Sequence, residues 1–167
     1  MKDNLLGRRE RSRLYRAPNE KYFGLQIATN VISEGVFAGK LARESGIDFI
    51  DLNCGCPTHE VTRRGLGAAI LKKPPKLERL VAGIVDSSDI PVSVKVRLGV
   101  AESNVDEIVD ACVNAGASAV TIHGRTKEQR YYSSADWDAI NGVGERVGVP
   151  IIGNGDVVSG MPSPAGL

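Results

Sequence analysis

Two cysteines stand one residue apart in "DFIDLNCGCPTHEV", residues 48–61, where an apolar run stops at Asn53 and gives way to glycine and proline. Four chemistries are open to them. A C-x-C followed by His59 could be half of a metal site. The chain holds only one further histidine, His123, and one further cysteine, Cys112. A four-ligand set at the usual spacing is therefore not there, and no metal is expected. A redox pair normally takes C-x-x-C. Buried thiols, or a thiol that gives up a proton, remain. Strand alternation turns Asn53 and Gly55 to one side and Cys54 to the other, if the strand runs that far. Cys54 then packs against helices as a small apolar residue. Cys56 lies past the strand end, on a loop that Pro57 fixes. Gly55 lets the backbone pass close to a flat ligand. Cys112, mid-helix among apolar neighbours, reads as structural.

Other polar residues recur in the same kind of place. Gln26, Asn53, Lys95, His123 and Asn154 sit in or at the ends of successive apolar runs, 27 to 42 residues apart. Lys95, between valines in "VSVKVRL", is either an edge-strand lysine or one with a partner, since lysine is rarely fully buried alone. Arg97 points to the same side as Lys95. Gln26 offers an amide donor and acceptor, or is a surface glutamine at a strand end. Asn154, Gly155 and Asp156 close "GNGD", whose backbone N–H groups suit a phosphate or ribityl chain, unless it is a plain turn. "GRTKEQRYY" interleaves Arg125, Lys127 and Arg130 with Tyr131 and Tyr132. That mixture suits RNA phosphates and stacked bases, or is a solvated loop. Arg63, Arg64, Lys72 and Lys73 form a second basic set. "RGLGAAIL" follows no strand, so it is no dinucleotide fingerprint and reads as close helix packing.

These residues need elements to hold them. Runs at 22–29, 48–54, 91–98, 119–125 and 149–156 read as strands rich in Val, Ile or Phe. Helical patterns fill 31–45, 76–88 (after a Pro-Pro start), 104–116 with Asn104 as N-cap, and 134–147 opening at Ser134. The alternation implies parallel strands with right-handed crossovers. The strands read as near-continuous apolar runs, as if covered on both faces. A doubly wound sheet and a barrel both fit. Polar residues gathered at strand C-termini favour the barrel. A complete one takes about 250 residues, so the expectation is an α/β partial TIM (β/α)8 barrel of about five β/α units, with strands missing from both ends.

The bulk numbers agree with one soluble domain: 167 residues, 42% hydrophobic and 25% charged. A net charge of +1 excludes a polycation. The basic charge concentrates in an arm over 1–19, with Lys2, Arg8, Arg9, Arg11, Arg13 and Arg16, which is either solvated or touches a polyanion. The barrel domain is expected over 20–160, and a tail outside the pattern over 161–167. Three cysteines, an odd number, speak against a disulfide framework and for a reducing compartment. Cytoplasm is expected, with the nucleus open. No apolar stretch approaches a membrane span, so no membrane partner is expected.

"FGLQIA", "DFIDLNCGCP", "VSVKVRLG", "TIHGRTKEQRY" and "IIGNGD", in this order, resemble the tRNA-dihydrouridine synthases, FMN-dependent enzymes that reduce uridine in tRNA. "DLNCGCP" with "HGRTKEQRYYSSADW" is most similar to the eukaryotic branch that modifies a uridine in the variable-loop region. The resemblance runs from about Glu20 to Ser159. The family's first two strands, its last strand and its helical RNA-binding domain have no counterpart in these motifs. The chain thus reads as a truncated form, expected to be inactive alone. The resemblance implies FMN as cofactor, NADPH as reductant and tRNA as partner. It makes Cys56 the catalytic acid: uracil takes a hydride at C6 and a proton at C5, and an ordinary thiol of pKa about 8.5 is mostly protonated at neutral pH. It sets Lys95 beside the flavin's N1/O2 edge, Gln26 at its pyrimidine edge, His123 on the cofactor, and Asn154, Gly155 and Asp156 at phosphate or ribityl. Arg97 would reach flavin or uracil. Asn53, Arg125, Arg130 and Tyr131 would face substrate or RNA. Reduction of free pyrimidines, or a non-catalytic RNA- or partner-binding fragment, are the alternatives.

Overall fold

The computed structural model describes residues 12–157. Most of the basic arm and the whole 161–167 tail lie outside the described residues. Five strands form: β1 Gly24–Ile27, β2 Phe49–Asn53, β3 Val92–Arg97, β4 Ala119–His123 and β5 Ile151–Asn154. All pair in parallel, in the order β1-β2-β3-β4-β5. The order never reverses, so there is no topological switch point and the doubly wound alternative falls away. It is the winding of a (β/α) barrel, here an open sheet of five strands.

Four longer helices connect and cover the strands, α1 Ile32–Glu44, α2 Pro74–Ser88, α3 Val105–Asn114 and α4 Trp137–Arg146, and a single helical turn, His59–Thr62, follows the cysteine loop. α1 packs on α2, α2 on α3 and α3 on α4, a single layer. The core lies between this layer and one face of the sheet. Ile50, Leu52, Val92, Val94, Val96, Val120 and Ile122 point into it, essentially without exposure, against Leu77, Leu80, Ile84 and Ile108. Burial of each such side chain contributes roughly 1.5–3 kcal/mol. The glycines of "VISEGVFAGKLA" let α1 lie close to α2: a Cβ on Gly39 would sit 2.4 Å from Ser87 Oγ.

The other face differs from the expectation of strands covered on both sides. In register across the sheet stand Gln26 and Asp51, then Asn53 and Lys95, then Arg97, His123 and Asn154. The apparently continuous runs largely alternate, apolar towards the helices and mostly polar on the other face, with the exposed Phe49 and Ile152 as apolar exceptions. Two helix starts also differ. Asn104 occupies the cap position of α3, but its side chain makes no cap bond and donates instead to the Leu71 carbonyl at 3.3 Å. α4 opens three residues after Ser134, capped by Asp136, whose Oδ1 accepts from the Ala139 N–H at 2.9 Å. The two-glycine stretch, expected to be a place of close helix packing, is a turn into a 3-10 helix, Gly67–Lys72, and its glycines face Asn30 and the Cys56 carbonyl.

Candidate active site

The strand C-termini bring most of the singled-out residues to one rim and one polar face. β2 ends at Asn53, and the Cys54 N–H still donates to the Lys95 carbonyl at 2.8 Å. The pleat therefore continues one residue, and Cys54 turns into the core with 1% exposure. Burial, with Cys112 nearby, pushes its thiol well above the ordinary range; burial alone pushes Cys112 up to about 12. Neither is fit to exchange protons with solvent. Cys56, half-buried on the loop, is the accessible thiol of the three. Its Sγ is 3.3 Å from Thr58 Oγ1.

The side chain of Asn53 shapes that loop. Its Oδ1 accepts from the N–H groups of Gly55 (3.2 Å) and Cys56 (3.0 Å), while its Nδ2 donates to Gln26 Oε1 at 3.3 Å. From below, the Ala68 N–H donates to the Cys56 carbonyl at 3.0 Å. Gly67, at φ +57, makes that approach possible, because a Cβ there would fall 2.5 Å from the same carbonyl. Gly67 thus serves the cysteine loop, whereas a Cβ on Gly65 would instead meet Asn30 Nδ2 at 2.5 Å.

On the polar face, Asn154 Oδ1 accepts from Lys95 Nζ and from His123 Nδ1, both at 2.9 Å. Because that oxygen is an acceptor, His123 carries its proton on Nδ1, and its Nε2 accepts from Arg125 Nη1 at 3.4 Å. Burial lowers the pKa of His123; the Asn154 bond opposes this, and Arg97, Lys95 and Arg125 add to the lowering. Lys95, in the central strand and not at an edge, is lowered mainly by burial, with Asp51 opposing and Arg97 adding. Asp51 was not singled out from sequence. It accepts from Gln26 Nε2 and from Ser93 Oγ, each at 2.7 Å. Its place two residues before Asn53 on the same face was the available signal.

The arginines differ in their surroundings. Arg97 is 4% exposed and turned to backbone carbonyls. Arg125, also 4% exposed, has its Nη2 on both oxygens of Asp156 (2.6 and 2.7 Å) and its Nε on the Ser133 carbonyl at 2.6 Å. Its guanidinium stacks 5.6 Å over the Tyr131 ring. Asp156 is thereby committed to Arg125 and to the Ala135 N–H. These bonds, Arg125 first, hold its carboxyl below the usual range. Gly155, at φ +125, turns the chain there. Arg130, Tyr131 and Tyr132 do reach solvent. With Arg97 and the Pro57–Glu60 segment they line a cleft of about 580 Å3 beside the cysteine loop. Of the basic arm, Arg16 lies at the opposite end of the strands: it pairs with Asp48, just before β2, and donates to the Lys21 carbonyl at 3.0 Å. No group of three or more metal-ligating side chains occurs among the described residues, and none of their helices is long and apolar enough to cross a membrane.

Comparison with known proteins accords with this arrangement. The dihydrouridine synthase (Dus) family matches residues 2–161, a span that includes the arm. The chain is 35% identical over 145 residues to the tRNA-dihydrouridine synthase B of Escherichia coli (strain K12) and to that of Shigella flexneri, covering 86% of this chain and 45% of each relative. It is 37% identical over 137 residues to that of Salmonella typhimurium (81% of this chain, 43% of the relative). The chain thus spans about half the length of the curated relatives it matches. A match running through all five strands, the cysteine loop and the basic loop in one order places the chain in the dihydrouridine synthase family.

Proposed function

We propose that the chain forms the site-bearing part of an enzyme that reduces uridine to 5,6-dihydrouridine in tRNA, with FMN as bound cofactor and NADPH as reductant. One observation carries the reading: a single accessible thiol, Cys56, is fixed by Asn53 at the rim of a polar, solvent-open sheet face centred on a lysine. The donor set fits a flavin. Gln26 presents an amide, Lys95 a cation and His123 an imidazole, all on one face of adjoining strands. When bound, FMN supplies the hydride that adds to C6 of the uracil ring. Lys95 would hold the cofactor through its cation, which would favour negative charge and so suit the reduced form. Cys56 Sγ–H gives its proton to C5, and the thiolate left behind recovers one from solvent. Asn53 holds the thiol in place by ordering its backbone.

Arg130, Tyr131 and Tyr132 around the cleft support an RNA substrate over a free base, since cations beside exposed aromatic faces suit a stacked nucleotide. Within the family, "DLNCGCP" and "HGRTKEQRYYSSADW" favour the eukaryotic branch, and work in the cytoplasm or nucleus. The test is the full-length protein with NADPH and unmodified tRNA, with dihydrouridine read by nucleoside mass spectrometry. A flavin-loaded preparation that forms none, or that reduces free uracil in preference, rejects the proposal.

A further inference from the structure

Arg97 is nearly as buried as the aliphatic core, yet it ends β3 between the two loops that frame the cleft. Its guanidinium is divided between them. Nε donates to the Gly55 carbonyl at 2.8 Å, and Nη1 donates to the Thr126 carbonyl at 3.2 Å. The first carbonyl belongs to the residue before Cys56. The second belongs to the loop that goes on to Arg130 and Tyr131. These loops leave β2 and β4, the two neighbours of β3. The Gly55 peptide units are thus held from two directions: the N–H by Asn53 Oδ1 and the C=O by Arg97. A planar fork with fixed donors can span two carbonyls in this way; an ammonium on a flexible stem serves one at a time.

We propose that Arg97 is a positioning residue, which fixes the Cys56 loop and ties it to the Thr126–Tyr131 loop. Contact made by Arg130 and Tyr131 is then transmitted to the thiol through one side chain. The proposal rests on Cys56 being the proton donor, but its test reads the loop and not the reaction. Cys54 and Cys112, at 1% and 0% exposure, serve as internal controls.

The full chain is treated with iodoacetamide across a pH series, and alkylation at each cysteine is followed by peptide mass spectrometry. The plateau rate at high pH reports access to Cys56, while the midpoint follows the local charge. Arg97→Lys keeps the charge and loses the bridge; Arg97→Met loses both. The plateau for Cys56 is expected to rise about tenfold in both variants, the scale of one lost hydrogen bond to a charged group. Cys54 and Cys112 are expected to stay unreactive. An unchanged plateau in Arg97→Lys overturns the proposal, as does a shift of midpoint alone. Reaction at all three cysteines, in a variant or in the unaltered chain, overturns it too, because the effect would then belong to the whole sheet. A raised Cys56 plateau, together with a flavin-loaded full-length protein that forms no dihydrouridine, upholds the role of Arg97 and removes the function proposed above.

Discussion

Cys54 and Cys56 share a sequence context and divide by one step of the pleat. Cys56→Ala is expected to abolish dihydrouridine formation in the full-length protein while NADPH still reduces the flavin, since the thiol acts after hydride delivery. Cys54→Ala removes only one buried sulfur and is expected to keep most activity; equal loss of product in both variants defeats the assignment. His123 carries a pH prediction. Its folded pKa lies below the ordinary 6.5, so between the two values the unfolded chain binds the extra proton and stability rises with pH. That stability is fully present above pH 6.5 and is lost as pH falls towards the lowered value. Denaturant titrations of His123→Gln are expected to show a flatter profile in that window, and an unchanged slope rejects the claim. The cysteine division was readable in advance because period-two alternation extends through Cys54. The burial of Arg97 and Arg125 was not, because no local pattern says whether a guanidinium turns to water or to carbonyls supplied by distant loops.

At the scale of elements, the strands lie where runs of Val, Ile and Phe place them, each trimmed at one or both ends. Helix starts were harder to read. Ser134 and Asp136 are both eligible caps two residues apart, and only the geometry of the preceding loop selects one. Asp136→Ala is expected to cost about 1 kcal/mol by removing the accepted N–H bond of Ala139. Ser134→Ala is expected to change stability by less than about 0.5 kcal/mol, as for an ordinary surface site. Thermal unfolding of the pair decides, and a larger loss from Ser134→Ala contradicts the cap. The polar inner face was legible only in part, from Lys95 with Arg97 and the polar strand ends, for a related reason. "FIDLN" and "VSVKVR" are short enough that two or three polar residues look like interruptions rather than a second face.

For the whole molecule, five strands leave the outer edges of β1 and β5 unpaired among the described residues, and the polar face without an opposite wall. The 167-residue chain alone is accordingly expected to be colourless, to associate through its edges and to leave tRNA unreduced. A yellow monomer that makes dihydrouridine contradicts this while leaving the family membership intact. The barrel winding was legible from the spacing of polar strand ends; the openness of the sheet was legible only from counting strands. The unreversed order has a further consequence. Each strand and helix leans on the next, so the molecule is close to a one-dimensional array whose cohesion is passed between neighbours. Such an array frays from its ends. Amide exchange with deuterated solvent is expected to be slowest in β3, faster in β2 and β4, and fastest in β1 and β5. Uniform protection across all five would mean that the sheet opens only as a unit.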